Sequence, residues 1–407
     1  MAAPPSDPGS TSENDLRSAW HAFCDRLKDG AEIALDPDRP IDDVDRSEGL
    51  RAMLRRLAND TSRVLEGGDL DHPQLACFHP FKNGQDNPDG LYQMSEVDLS
   101  RTYRLSGNIG TVCYLGVTAM TTNFAERGIQ QFLTLNGDDL PTDDDGYFEL
   151  VFGAGPPPAG VGDDSWFDLP PERCTLIIRQ FFSDWASEIP ADLHLECLDP
   201  VAVSGRMTAA SMVRHLGVAA DQVLDMTTFW ADFGGAHVAR DEVNSFNHVQ
   251  AAQGASSNLG GSVDQGYGQA WYRIADDEAL LLEVEIPDCV YWGIQLGDVW
   301  YQSLDWWDHQ SSLNGHQATV SDDGVFRAVI SHGDPGIANW LDTTGSTQGC
   351  ITYRWNQADR QPVPTCTLVP ISSIDEHLDD RWIPITPDQR AIVLRDRRRA
   401  ALRRFRR

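Results

Sequence analysis

Lysine is nearly absent from this chain: Lys28 and Lys82 stand alone against 30 arginines, while 47 aspartates outnumber 15 glutamates. That bias fits a high-GC genome or adaptation to salt and carries no mechanism. The net charge of −30 makes for a negative surface that repels nucleic acid and anionic lipid, so neither is expected as a partner. No apolar run approaches the ~20 residues that cross a bilayer, and ALLLEV at 279–284, among the densest, is only strand-length. The N-terminal MAAPPSDPGSTSEND lacks a basic and an apolar region, so it reads as a disordered tail and not a secretory leader, and the protein is expected to be cytoplasmic. Eight cysteines form no CxxC pair, which excludes a zinc ribbon or redox motif and predicts reduced, mostly buried thiols. GxSxG, HExxH, the P-loop and GxGxxG are all missing, so no cofactor and no metal is expected. A Ser-His-Asp arrangement stays open, because its members need not be close in sequence.

What is present is globular in composition, with 41% hydrophobic and 23% charged residues over 407 positions, enough for two domains. Leu16, Trp20, Phe23 and Leu27 fall on one helical face before Gly30. Leu50, Met53, Leu54, Leu57, Thr61 and Val64 form a second face that stops at Gly67-Gly68. From about residue 90 the texture turns to short alternating or apolar runs between Gly, Pro and Asp turns, the pattern of a β-sandwich or jelly roll. Helical spacing returns over 205–235, with Thr208 as N-cap and Gly217 as the expected stop, before β texture resumes to 370.

The β texture repeats itself. Tyr114-Leu115-Gly116 matches Tyr291-Trp292-Gly293, LTLNG matches SSLNG at Asn136 and Asn314, and DDDGYFELVFG matches SDDGVFRAVIS at Gly146 and Gly324. SWFDL matches NWLDT at Trp166 and Trp340, and CTLIIRQF resembles CITYRW near Cys174 and Cys350. Five segments in one order at nearly constant offset indicate two related sandwiches. Residues common to both copies are best assigned to the shared fold, and residues found in one copy only become candidates for a task.

By that rule the second copy stands out over SLDWWDHQSSLNGHQ, Ser303 to Gln317. His309 and His316 align with Gln131 and Asp138, His332 with Ala154, and Asp305 with Arg127. Asn314-Gly315 reads as a two-residue hairpin turn, which would pair Leu313 with His316 and set His309 opposite Val320, too far from His316 for a shared metal. Trp306, Asp308, Gln310 and Ser312 would then share a face suited to a ligand. Two runs ahead of the sandwiches are less specific: Asp86, Asn87, Asp89 and Tyr92 line either a cleft or a turn-rich loop, and Tyr267 and Arg273 stand in the equivalent place. The C-terminal PDQRAIVLRDRRRAALRRFRR has nine arginines and two aspartates. It reads as a helix capped by Thr386-Pro387 that docks on the acidic body of its own chain or a sister subunit, through Ile392, Val393, Leu394, Leu402 and Phe405.

The motifs YWGIQL, SLDW, QSSLN, HQA, DPGIANWLDT and YRW, within 291–355, resemble the bacterial domain-of-unknown-function family 1214. NPDGLYQ and TYRLSG extend the likeness to the long stand-alone members, over 87–370. The resemblance implies a jelly-roll-like β-sandwich and brings no reaction or catalytic residues with it.

The expected fold is mainly β with helical segments, two tandem related sandwiches. A tail (1–13) leads into a helical arm (14–68) and the first sandwich (69–200); a helical connector (201–262), the second sandwich (263–370) and an extension with a basic helix (371–407) follow. The leading functional reading is a small polar or amphipathic, carbohydrate-like ligand held in the second sandwich by Trp306, Trp307, Gln310, Ser312 and Gln317, with Tyr267 and Arg273. The alternatives are a hydrolase or lyase using His309 or His316 oriented by Asp305, and a homo-oligomeric interaction protein assembled through the helical arm and the basic helix.

Overall fold

The computed structural model describes residues 13–67, 69–77, 81–123, 128–162, 165–200, 206–238, 242–246 and 261–405; the tail, but for Glu13, lies outside them. Three helices pack together: α1 (Glu13–Leu35), α2 (Asp43–Glu66) and α3 (Ala209–Val238). Asp42 starts α2 by accepting the Asp45 N–H, and Gly67 ends it; Thr208 accepts the Ser211 N–H and so caps α3. Phe23, Ala219 and Ala220 form the knot of this bundle, with Leu27, Leu57 and Leu216 around them. The bundle leans on the second half of the chain through Trp230, Trp271, Trp300 and Tyr301.

Two glycines expected as helix stops lie inside helices. At Gly30 a Cβ would sit 3.1 Å from the Met53 sulfur, so glycine there lets α1 and α2 approach. Gly217 has nothing within 4 Å, and α3 runs past it because Val223, Trp230 and Ala231 beyond it are buried.

The first sandwich has one sheet ordered β1 (Ala76–Cys77), β2 (Gly90–Asp98), β8 (Arg173–Phe181), β4 (Tyr114–Asn123), β5 (Gly128–Asn136). Its second sheet is β7 (Trp166–Asp168), β6 (Tyr147–Gly153), β3 (Tyr103–Asn108), β9 (Asp192–Cys197). The second sandwich repeats both orders except for β1, which has no counterpart. One sheet is β10 (Gln265–Arg273), β16 (Gln348–Asn356), β12 (Tyr291–Gly297), β13 (Ser312–Asn314); the other is β15 (Trp340–Asp342), β14 (Val325–Ser331), β11 (Glu278–Glu285), β17 (Thr365–Pro370). Registers match as well: Gly116 pairs with Asn136 as Gly293 pairs with Asn314, and Val151 with Trp166 as Val329 with Trp340. Gly146 and Gly324 both take positive φ at their Asp-Gly turns. Each sandwich closes over its own apolar core, Leu105, Phe148 and Leu176 in the first and Leu282, Phe326 and Tyr353 in the second.

Neither Asn-Gly pair makes a two-residue hairpin. Asn136 caps a short 3-10 turn over Gly137–Asp139. Asn314 ends β13, and its Oδ1 accepts the N–H groups of His316 and Gln317. That side chain supplies its own turn, so no returning strand is needed. Leu313 therefore faces Ile294 of β12, and Val320 bridges to Phe326.

The last helix, α4 (Pro387–Arg404), begins with Thr386 and Gln389 in a capping box and Pro387 in its first turn. It lies against both sandwiches. Among the described residues no helix is long and apolar enough to cross a membrane.

Helix propensity and packing make opposite demands at two of these glycines. A Cβ on Gly49 of α2 would lie 2.4 Å from the Trp300 ring, so Gly49→Ala should destabilise the protein. Gly217→Ala should instead stabilise it by about 1 kcal/mol, the ordinary gain in a helix interior. Denaturant midpoints of the two variants should move in opposite directions.

Candidate functional site

The outer face of one sheet in each sandwich carries the same row of residues. Across β2, β8, β4 and β5 it reads Tyr92, Arg179, Gly116, Asn136. Across β10, β16, β12 and β13 it reads Tyr267, Arg354, Gly293, Asn314. These faces meet. Phe181 of the first lies 5.0 Å, ring to ring, from both Tyr114 and Tyr291, and the three form one buried cluster with Tyr92 beside it.

The repeated Tyr-x-Gly motif makes the meeting reciprocal. A Cβ at Gly116 or Gly293 would lie 2.6 Å from the hydroxyl of the tyrosine two residues earlier, so glycine lets each ring lie along its own strand. Tyr291 then donates to Asp89 of the first half at 2.6 Å, and Tyr114 donates to Asp264, ahead of the second sandwich, at 3.0 Å. Asp89 is 3% exposed and also accepts from Trp185 Nε1 at 2.7 Å and Asn314 Nδ2 at 2.8 Å. Burial pushes its carboxyl up, against the pull of the Tyr291 hydrogen bond and of Arg404 and Arg397.

The loop ahead of β2 is the other half of this clasp. Asp86 accepts from Ser303 N at 3.0 Å and from Ser303 Oγ at 2.8 Å, and its carbonyl accepts from Gln295 at 2.8 Å. Lys82 donates to the Ser303 carbonyl at 2.8 Å, and burial lowers its pKa to about 8. Gly84 and Gln85 both take positive φ. Arg354, 2% exposed, donates to the Gln85 carbonyl and to Gln295 Oε1 and lies 4.9 Å above the Tyr267 ring. The side-chain amides of Gln85 and Asn356, 1% and 0% exposed, make no hydrogen bond.

The face expected to wall a ligand lies under α4. Gln310 Oε1 accepts from Arg390 at 2.8 Å while its Nε2 donates to the carbonyls of Trp340 at 2.7 Å and Ala338 at 3.0 Å. Arg397 donates to the Trp306 carbonyl, to Ser312 Oγ and to Gln317 Oε1. Trp306 is buried against Trp185, and Trp307 stacks on Phe405. The helix docks by its arginines: Arg390, Arg397 and Arg404 are buried, whereas Ile392 and Val393 are exposed. A guanidinium fork fits carbonyls set at fixed places, which an apolar stripe could not satisfy. The acidic body matters less than charge alone suggests, since among the described residues Asp334, 3.0 Å from Arg390, is the one carboxylate within ion-pair distance of a buried arginine of α4.

The proposed catalytic set is dispersed. His309 Nδ1 lies 2.7 Å from Asp342, while Asp305 accepts the N–H groups of Trp307 and Asp308 in a turn. Burial pushes the Asp305 carboxyl up, but those N–H groups together with the charges of Lys82 and His309 outweigh it and hold it low. His316 lies 3.7 Å from Asp184. His332 bonds Thr343 at 2.6 Å and the Ile274 carbonyl at 3.1 Å. Arg273 is at the far end of β10, about 20 Å from Tyr267 by strand rise; its N–H donates to Asn244. Among the described residues no group of three or more His, Cys, Asp or Glu could hold a metal.

Sequence reasoning weighed Asp86, Asn87, Asp89 and Tyr92 only as loop or cleft, and assigned Tyr114, Arg179, Tyr291 and Arg354 to the shared scaffold. The repeat itself was the signal, because a tyrosine kept two residues before a glycine in both copies is more than a strand requires. The spacing of Arg390, Arg397 and Arg404 at every seventh position was likewise readable as one face of a helix.

No family model matches the chain, and no curated protein does. A solved structure of an uncharacterised protein from Burkholderia cenocepacia is 32% identical, covers 88% of this chain and 99% of its own, and has a TM-score of 0.80. The VPA0106 protein from Vibrio parahaemolyticus is 11% identical, covers 84% of this chain and 100% of its own, and has a TM-score of 0.46.

Two adjacent arginines, Arg397 buried and Arg398 exposed, test whether α4 is held by geometry or by charge. Arg397→Ala should cost about 2–4 kcal/mol, the penalty for stranding buried partners. Arg398→Ala, which removes only the exposed pair with Asp308, should stay within about 0.5 kcal/mol. Urea unfolding of both variants at low and high salt checks this, and the Arg397 loss should persist in salt.

Proposed function

Since the chain belongs to the same family as the uncharacterised Burkholderia cenocepacia protein, we propose that the seam between its sandwiches is the working part, a binding site for a small polar carboxylate of the sugar-acid kind. One observation carries this reading. Arg354 is buried with no carboxylate in ion-pair distance among the described residues, next to the unpartnered amides of Gln85 and Asn356. A guanidinium without a counter-charge and two amides without partners, all kept dry, are costly in a folded chain, and together they match the two oxygens of a carboxylate. Tyr92 and Tyr267 are only half-buried and supply an aromatic approach to that floor. The ligand thus moves from the wall at Trp306, Gln310, Ser312 and Gln317 to the neighbouring rows of the same sheet.

We infer further that the family is 1214, since the motifs YWGIQL, QSSLN and YRW include Tyr291, Gly293, Asn314 and Arg354 of the seam. The matched strand orders and registers support an origin of the two sandwiches by duplication. The alternative of acid–base catalysis rests on His309, which Asp342 orients in place of Asp305.

Tyr267 offers the cleanest test, because its hydroxyl makes no hydrogen bond among the described residues. A thermal-shift and calorimetric screen of sugar acids and small carboxylates should give saturable stabilisation. Tyr267→Phe should weaken it about tenfold, the loss of one hydrogen bond to a charged group, with the unliganded melting temperature unchanged. If no carboxylate stabilises the wild type, or if Tyr267→Phe and Arg354→Lys bind as tightly as wild type, the seam is structural only.

A further inference from the structure

The end of α4 places Arg404 in surroundings that look like a receptor. Its side chain is 4% exposed, and its guanidinium carbon lies 4.6 Å from the Trp185 ring, 4.9 Å from Phe405, 5.2 Å from Phe182 and 5.3 Å from Trp306. One nitrogen, Nη2, donates to the Pro88 carbonyl. The other two, Nε and Nη1, are buried without a hydrogen-bond partner. Next to Pro88 in the chain is Asp89, whose buried carboxylate attracts the guanidinium. Three aromatic faces from outside α4, those of Trp185, Phe182 and Trp306, with the Pro88 carbonyl and the buried Asp89 carboxylate, form a cage for a planar cation.

We propose that this cage is a guanidinium-binding site, filled in cis by the chain's own Arg404, so that the last turn of α4 acts as a tethered ligand that a free guanidinium compound can replace. The ring geometry favours a flat cation over an ammonium, because a guanidinium presents a face to Trp185 where an ammonium presents a hydrated point charge. The occupant differs from its neighbours in a way that supports this. Arg390 and Arg397 use all three of their guanidinium nitrogens in hydrogen bonds, whereas Arg404 is held mainly by stacking. Arg404 is also in the last turn of α4, where release breaks the fewest helical contacts. The cage shares Asp89 with the seam but not Arg354, Gln85 or Asn356, and it takes a ligand of opposite charge, so its test is separate from that of the carboxylate site.

Chemical rescue tests it in the full chain. Arg404→Ala should lower the melting temperature, and millimolar N-ethylguanidinium should restore at least half of the loss with a saturable change in tryptophan fluorescence. Ethylammonium or sodium chloride at equal concentration should restore markedly less. Rescue by all three salts alike, or by none, overturns the proposal. If Arg404→Ala does not fold, the wild type decides: N-ethylguanidinium should speed hydrogen exchange over residues 399–405 relative to α2 in the same sample. Equal exchange with and without it overturns the proposal.

Discussion

Asp89 is a carboxylate with almost no water to face, and three parts of the protein converge on it. Tyr291 and Asn314 belong to the second sandwich, Trp185 to the first, and Arg404 and Arg397 of α4 add positive charge nearby. Removing a carboxylate from water costs several kcal/mol or more unless hydrogen bonds replace its hydration shell. The folded state can therefore keep Asp89 only when both sandwiches are docked in one register. The glycine that lets Tyr291 lie flat, the turn that ends β13 at Asn314 and the clasp around Asp86 all serve that single requirement. Buried polar networks of this kind fix geometry more than they add stability.

The same requirement explains the arginines of α4. A helix that covers polar ground cannot use an apolar stripe, because the carbonyls of Trp306, Ile337, Ala338 and Pro88 beneath it would lose their hydrogen bonds. Arginine brings several donors in a rigid fork and covers the neighbouring tryptophans with its flat face. Lysine would offer three donors at one point. A chain poor in lysine and rich in arginine thus has, at one place, a structural use for that composition.

The two halves share their frame and differ at one edge. The row above the common Tyr-Arg-Gly-Asn is Gly90, Phe181 and Tyr114 in the first sandwich, and Gln265, Asn356 and Tyr291 in the second. An aromatic ring in one copy is an amide in the other. The phenylalanine fills the seam with apolar surface, while the asparagine brings a buried amide into it. Specialisation therefore falls within the shared rows as well as in the segment Ser303 to Gln317.

Strand alternation, the repeat, the helix caps and the basic helix were all legible in the sequence, because each depends on residues close together along the chain. A period of two, a Thr-Pro cap or a pair of Tyr-x-Gly motifs is set by local backbone geometry and holds whatever lies opposite. Which face each row meets was decided only in three dimensions. Gln310, Ser312 and Gln317 have the chemistry of a ligand wall, and only the fold lays Arg390 and Arg397 across them. Gly30 and Gly217 are ordinary helix stops by composition, yet packing carries both helices through them. His309 finds Asp342 and not Asp305, and Asp89 changes from a turn residue to the centre of the seam. Hydrogen bonds and packing contacts depend on distance in space, so residues far apart in the chain acquire their partners only when the two sandwiches and the last helix close together.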